Sequence, residues 1–394
     1  MSSQAEPNGP VTAPLAGVTV IELGHSVAAP FATQVLGDLG ARVIKIENPK
    51  AGDDARGWGP PFQEGVAAAF QALNRNKMSV ALDIKDPGEL AQLRRLMLGA
   101  DVVIQNMRPG LVARYGIDAA SLRAQNPALI YCNLGAFGEV GPMKATTGYD
   151  PLVQAFSGIM SVTGEEGRPP VRVGPSIIDQ GTGMWCVIGI LSALLRRRET
   201  GIGCTVDSSL FETALSWMTV PIANGLASGR DPGRSGSETP MLAPYRAFEA
   251  ADRHVVIAVG NNNLFRRLCE VLGAPEWADD PRFRDNADRV ANRVVLNALI
   301  EERVKTRPAA DWVAALEAVG VPCAPVHVVS EVLAHPQTEA LGIMQRTPDG
   351  KIQVVGLPLR FDGERPQVKS AAPALGTTPP EAVLGADGAA ERSR

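Results

Sequence analysis

Five short runs constrain the fold of this chain most: VTVIEL (18–23), RVIKIE (42–47), SVALDI (79–84), DVVIQN (101–106) and ALIYCNL (128–134). Each is rich in β-branched and aliphatic residues, the pattern of strands covered on both faces. Helical stretches lie between several of them. PGELAQLRRLMLGA is the clearest, opened by Pro87 and closed near Gly99, the residues helix ends favour. Such strand–helix alternation predicts an α/β fold, a parallel sheet with helices on both faces. TGMWCVIGILSALLRRRETG reads as an apolar helix ending in Arg196–Arg198, where cations complement the helix dipole. DSSLFETALSWMTVPIANGLASG reads as a further long helix capped by Asp207 or Ser208.

The pattern changes after RDPGRSGSETP (230–240), a Gly/Ser/Pro stretch that reads as a linker. YRAFEAADRHVVIAVG suggests a β-hairpin turning near Asp252, and helices are expected at 262–272, 291–304 and 309–319. After Pro336 only short β segments such as IQVVGLPLRF stand out. The expected organisation is a large α/β domain over 14–215, a small α+β domain over 240–327, and a C-terminal segment, 336–394, returning to the large domain. The N-terminal MSSQAEPNGPVTAPLAG and the tail TTPPEAVLGADGAAERSR read as weakly structured.

Composition narrows the partners. Lys plus Arg is 38 against 42 for Asp plus Glu, a net charge of −4, so there is no global basic footprint for nucleic acid. Cys132, Cys186, Cys204, Cys269 and Cys323 form no CxxC pair, and read as reduced thiols of a cytoplasmic protein. His25, His254, His327 and His335 show no ligand spacing, so no metal is expected. The N-terminus lacks the order of a signal peptide, and no apolar run reaches membrane-spanning length, so no membrane partner is expected.

Several stretches carry candidate chemistry. LGHSVAAPF follows the first strand without GxGxxG spacing, which argues against a dinucleotide site. His25 sits there, at a strand's carboxyl end, where ligands of open α/β sheets collect. Cations recur after successive strands: Arg56, then Arg75, Lys77 and Lys85, then Arg108 and Arg114. They are either a solvated basic edge or the binding edge for a ligand with several phosphates. VGNNNLF (259–265) either caps a helix or offers backbone N–H groups to an anion. In GPSIIDQGTGMW, Asp179 either caps the apolar helix or is a carboxylate activated by its apolar surroundings.

Taken together these segments resemble the class III CoA-transferase family, from about Leu15 to about Val383. The resemblance rests on GVTVIELGHSVAAPFATQVLGDLGARVIKIE, GDDARGWGPP, NRNKMSVALDIKDP, QNMRPG, GYDPLVQAFSGIMSVTG, DQGTGMWCVIGILSALLRRRETGIG and GVPCAPV, in that order. It implies a Rossmann-like large domain, a smaller α+β domain and an interlocked homodimer. It also implies transfer of CoA from an acyl-CoA to a carboxylic acid, with no tightly bound cofactor. Asp179 then stands at the family's nucleophile, forming a mixed anhydride and then an aspartyl-CoA thioester. His25, Ser26 and Val27 match the turn over the thioester, Tyr149 a position near the nucleophile, and Gly260 and Asn261 a turn over the reacting carbonyl. Leu82, Asp83, Lys85, Asn106, Met107, Arg108 and Arg114 match segments holding the nucleotide end of CoA, with Arg56 among the cations. Val27 stands where oxalate-using members carry Gln, which counts against oxalate and formyl-CoA. Tyr149-Asp150 stands where related racemases carry His-Asp, which counts against a racemase or epimerase. Asp179 itself counts against a catalytically silent acyl-CoA-binding protein. GDDARGWGPP and NRNK are most similar to members using succinyl-CoA and dicarboxylic acids.

Overall fold

A computed structural model describes residues 10–384 and divides them into two compact units. One takes in the chain up to Ile159, Val173–Val220 and the chain from Thr338; the other is Met160–Arg172 with Pro221–Gln337. Of the two ends expected to be weakly structured, residues 1–9 and 385–394 lie outside the described ones. Within them, Pro380–Leu384 forms a helix that buries Val383 in the core of the first unit.

The first unit is built on a six-stranded parallel sheet. Its strands are β1 (Thr19–Leu23), β2 (Arg42–Glu47), β3 (Lys77–Ala81), β4 (Val102–Gln105), β5 (Ile130–Gly135) and β6 (Thr205–Ser209). Their spatial order is β3-β2-β1-β4-β5-β6, so the direction of winding reverses between β1 and β4. Helix α1 (Ala28–Asp38) follows β1, and α2 (Pro87–Gly99) follows β3. Asp86 caps α2 by accepting from Gly88 and Glu89 N–H. One face of the sheet buries Ile21, Ile44 and Val103 against Leu93 and Met97 of α2. Further along the chain come α3 (Asp150–Phe156), α4 (Ile177–Thr200) and α5 (Leu210–Trp217).

β6 departs from the sequence expectation. The sequence places a helix start at DSS (207–209), yet these residues end a strand, Thr205–Ser209, that pairs with β5 from Tyr131–Thr205 to Gly135–Ser209. Its polar residues suit a sheet edge, and Ser209 is the residue that caps α5. Gly183 lets α4 approach α1 closely: a Cβ there would lie 2.8 Å from the Ala28 carbonyl. Contrary to the expectation that no run is long enough, α4 has the length and apolar composition to cross a membrane. Half of that stretch is buried, and Ile178, Cys186 and Ile190 belong to the protein core, as in a core helix of a globular protein.

In the second unit, Tyr245–Glu249 and His254–Ala258 form the expected hairpin, extended by Cys323–Pro325. Phe248, Val255, Phe265, Leu296 and Trp312 fill its core. The stretch read as a linker is packed: Glu238 holds Arg246 and Arg293, at 2.9 and 3.0 Å, and accepts from Asn297.

Candidate active site

In an open parallel sheet, a crevice forms beyond the carboxyl ends of the two strands where winding reverses. Here those strands are β1 and β4. His25, Ser26 and Val27 follow the first, and Asn106, Met107 and Arg108 follow the second. They line a cavity of about 560 Å³, whose wall also carries Tyr149 and Asp179. An adjoining cavity of about 350 Å³ is lined by Leu82, Asp83 and Lys85 together with His25, Met107 and Arg108. Residues from five separate sequence segments therefore meet at the switch point.

Asp179 is not the cap of its helix. It is the third residue of α4, and Ser176 at the cap position makes no side-chain capping bond. The buried Asp150, 2% exposed, does the capping from α3. Its Oδ2 accepts from Ile178 N at 2.8 Å and Asp179 N at 3.2 Å. Its Oδ1 accepts from Gln154 Nε2 at 2.6 Å, and Gln154 Oε1 in turn accepts from Val173 N at 2.8 Å. The orphan donors of a helix start are thus satisfied from 28 and 29 residues away. That leaves the Asp179 carboxylate with no hydrogen-bond partner among the described residues. Burial, and then the charge of Asp150, push the Asp179 carboxyl up to about 7. Such a group is a stronger base and nucleophile than an ordinary aspartate, and is still largely ionised slightly above neutral pH.

The candidate cations separate into two sets. Arg56 spends its guanidinium internally: Nε and Nη2 grip Glu47 at 2.8 and 2.7 Å, and Nη1 reaches the Pro373 carbonyl. Arg75 pairs with Asp38 at 2.6 Å, and Lys77 is buried against Glu22 at 3.0 Å. The partner of Arg75 lies 37 residues away and so is invisible in the local sequence, whereas that of Arg56 is only nine residues back. Lys85 and Arg108 are exposed and line the smaller cavity. Arg114 is exposed beside the Tyr115 ring and lines neither cavity. Asn106 faces the larger cavity but bonds the backbone of His25 through both ends of its amide. Gly260 and Asn261 belong to the second unit, where Asn261 Oδ1 caps a helix by accepting from Leu264 N at 3.0 Å. Among the described residues no cluster of His, Cys, Asp and Glu could hold a metal ion.

Asp150 is not among the candidate site residues read from the sequence. The Asp-Pro pair that opens α3 and its place beside Tyr149 mark it, but nothing local shows that the carboxylate serves a different helix.

The profile of CoA-transferase family III matches residues 15–378. A succinate–glutarate CoA-transferase of Agrobacterium fabrum is 41% identical over 336 residues, covering 84% of each chain. An acetyl-CoA:oxalate CoA-transferase of Acetobacter aceti is 40% identical over 376 residues, 95% of each chain. The crystal structure of a CAIB/BAIF family protein from Brucella suis superposes with a TM-score of 0.85 at 41% identity, covering 95% of this chain and 99% of that one.

Proposed function

Because the chain belongs to CoA-transferase family III, we propose that it moves CoA from an acyl-CoA to a dicarboxylic acid through covalent intermediates on Asp179. Succinyl-CoA is the donor of first choice, and the acid pair succinate and glutarate in the name of the Agrobacterium relative supports it. One observation carries this reading: the carboxylate on the cavity wall is relieved of capping duty and raised to about 7.

The steps balance without a metal or a net proton. An Asp179 oxygen attacks the thioester carbonyl, and collapse of the adduct expels CoA thiolate, leaving a mixed anhydride. The thiolate attacks the Asp179 carbonyl carbon of that anhydride. The donor acid leaves as its carboxylate, and an aspartyl-CoA thioester remains. The acceptor carboxylate attacks this thioester, giving a second anhydride and thiolate. Attack of the thiolate on the acceptor's acyl carbon yields the new acyl-CoA and frees Asp179. The half-buried setting limits hydrolysis of the anhydrides. Lys85 and Arg108, exposed beside the smaller cavity, are the cations offered to the CoA phosphates.

A homodimer fits the surface of the first unit. Met184, Trp185, Ile188 and Leu195 on α4, and Trp217 on α5, are between 43% and 64% exposed, an apolar face suited to a second copy of the chain. The working compartment is the cytoplasm, and CoA and acyl-CoA act as substrates rather than bound cofactors.

The test is transfer itself. Purified protein with succinyl-CoA and a panel of acids, glutarate and oxalate included, is read by mass spectrometry for new CoA thioesters. Formation of glutaryl-CoA by wild type and none by Asp179→Ala is expected. Oxalyl-CoA as the preferred product would overturn the weight given to Val27, and undiminished transfer by Asp179→Ala would overturn the nucleophile.

A further inference from the structure

We infer that Asp53 and Asn106 are positioning residues of the transfer reaction, holding the His25–Ser26 turn in place beside Asp179. This rests on the proposed function and adds to it residues that do not themselves react.

The turn is held from outside. His25 N donates to Asn106 Oδ1 at 3.0 Å, and Asn106 Nδ2 donates to the His25 carbonyl at 2.9 Å. Ser26 N donates to Asp53 Oδ1 at 3.0 Å, and the Gly24 carbonyl accepts from Lys45 Nζ at 2.7 Å. Four successive backbone groups are thus bound by side chains from β2, from the loop after β2 and from the end of β4. Ser26 needs that support. Its φ is +68°, a conformation unfavourable for a residue with a side chain. Val27, next in line, makes no side-chain capping bond at the start of α1.

The anchors are themselves fixed. Lys45 pairs with Asp53 at 2.9 Å and with Glu22 at 2.8 Å, and Glu22 also pairs with Lys77 at 3.0 Å. Glu22, Lys45, Asp53 and Lys77 have side chains with 0% exposure. Although burial alone would raise it, Lys45 and Lys77 hold the Glu22 carboxyl down to about 2. A closed set of two carboxylates and two ammonium groups is no more stable than apolar packing of the same volume. Its product is geometric: Asp53 has one position, and so has the amide it holds. Asp53 also lines the smaller cavity beside His25, while Glu22, Lys45 and Lys77 line neither.

The experiment compares Asn106→Ala, Asp53→Ala and Asp53→Asn with wild type. Circular dichroism melts establish folding, calorimetry gives CoA affinity, and steady-state transfer separates kcat from KM. Misplacing a turn beside the reacting atoms costs on the order of 100-fold. Asn106→Ala should lose about that in kcat while CoA affinity stays within about threefold. Asp53→Asn keeps an acceptor for Ser26 N and should retain more activity than Asp53→Ala. Asn106 involves no buried charge, so its variant decides the matter if Asp53→Ala does not fold. A folded Asn106→Ala with unchanged kcat, or one losing only CoA affinity, overturns the inference for Asn106. Equal loss in folded Asp53→Asn and Asp53→Ala overturns it for Asp53. Wild type that transfers CoA without a covalent adduct on Asp179 overturns the nucleophile and leaves this comparison readable.

Discussion

Asp179→Asn should make the protein more stable at alkaline pH than at acidic pH, relative to wild type. The Asp179 carboxyl is raised from 3.8 to about 7, first by burial and then by Asp150. Between those values the folded state binds a proton that the unfolded state has released, so wild-type stability falls as pH rises through that window. Above it the cost is complete, at most about 4 kcal/mol for a shift of this size. Asparagine has the same shape and carries no charge, so the variant avoids the cost. Its advantage should grow by about 2 kcal/mol between about pH 5.5 and pH 8.5. For a unit of this size that is a relative rise in Tm of roughly 4–8 °C. Differential scanning calorimetry of both proteins across that range measures it directly. An advantage that is constant with pH, or that shrinks as pH rises, would refute the raised carboxyl and with it the activation argument.

Three further outcomes follow from the geometry. Asp150→Asn keeps an acceptor for the α4 donors but removes the neighbouring charge. The pH midpoint for acylation of Asp179 should fall yet stay above that of an ordinary aspartate, because burial is the larger cause; an unmoved midpoint in single-turnover rates would contradict this. Arg108→Ala and Lys85→Ala should each raise KM for acyl-CoA by about one to two decades, since a charge-assisted contact contributes roughly 1.5–3 kcal/mol. Arg114→Ala should change it far less, and steady-state kinetics of all three variants would show the reverse order if the cavity assignment is wrong. Turnover of a chiral 2-methylacyl-CoA in D₂O should leave the α-carbon unlabelled, because Tyr149 stands where related racemases carry the His of their two-group acid–base pair; rapid wash-in by NMR would favour racemisation.

Some of this was legible in the sequence and some could not be. β2 and α2 were readable to the residue because RVIKIE carries Val43, Ile44 and Ile46 in one short β-branched run, and Pro87 and Gly99 punctuate the helix. β6 was not, since TVDSS pairs on one side only and its polar residues resemble a helix cap. Asp179 was found through its motif. Its freedom from capping was not, because Asp150 acts across 29 residues. The same distance problem hid Arg75, whose partner Asp38 is 37 residues away and makes a buried pair of what reads as a binding cation. Local pattern reports burial and turn chemistry, whereas the pairing of charges depends on which strands become neighbours.

The central claim is that Asp179 becomes covalently loaded during transfer. Wild-type protein incubated with succinyl-CoA alone, quenched in acid, digested and analysed by mass spectrometry should carry acyl or CoA mass on the peptide containing Asp179. Adding glutarate should discharge it as glutaryl-CoA. Asp179→Asn should carry no adduct. An adduct on a different residue, or transfer by wild type without any adduct under conditions that trap anhydrides and thioesters, would contradict the account.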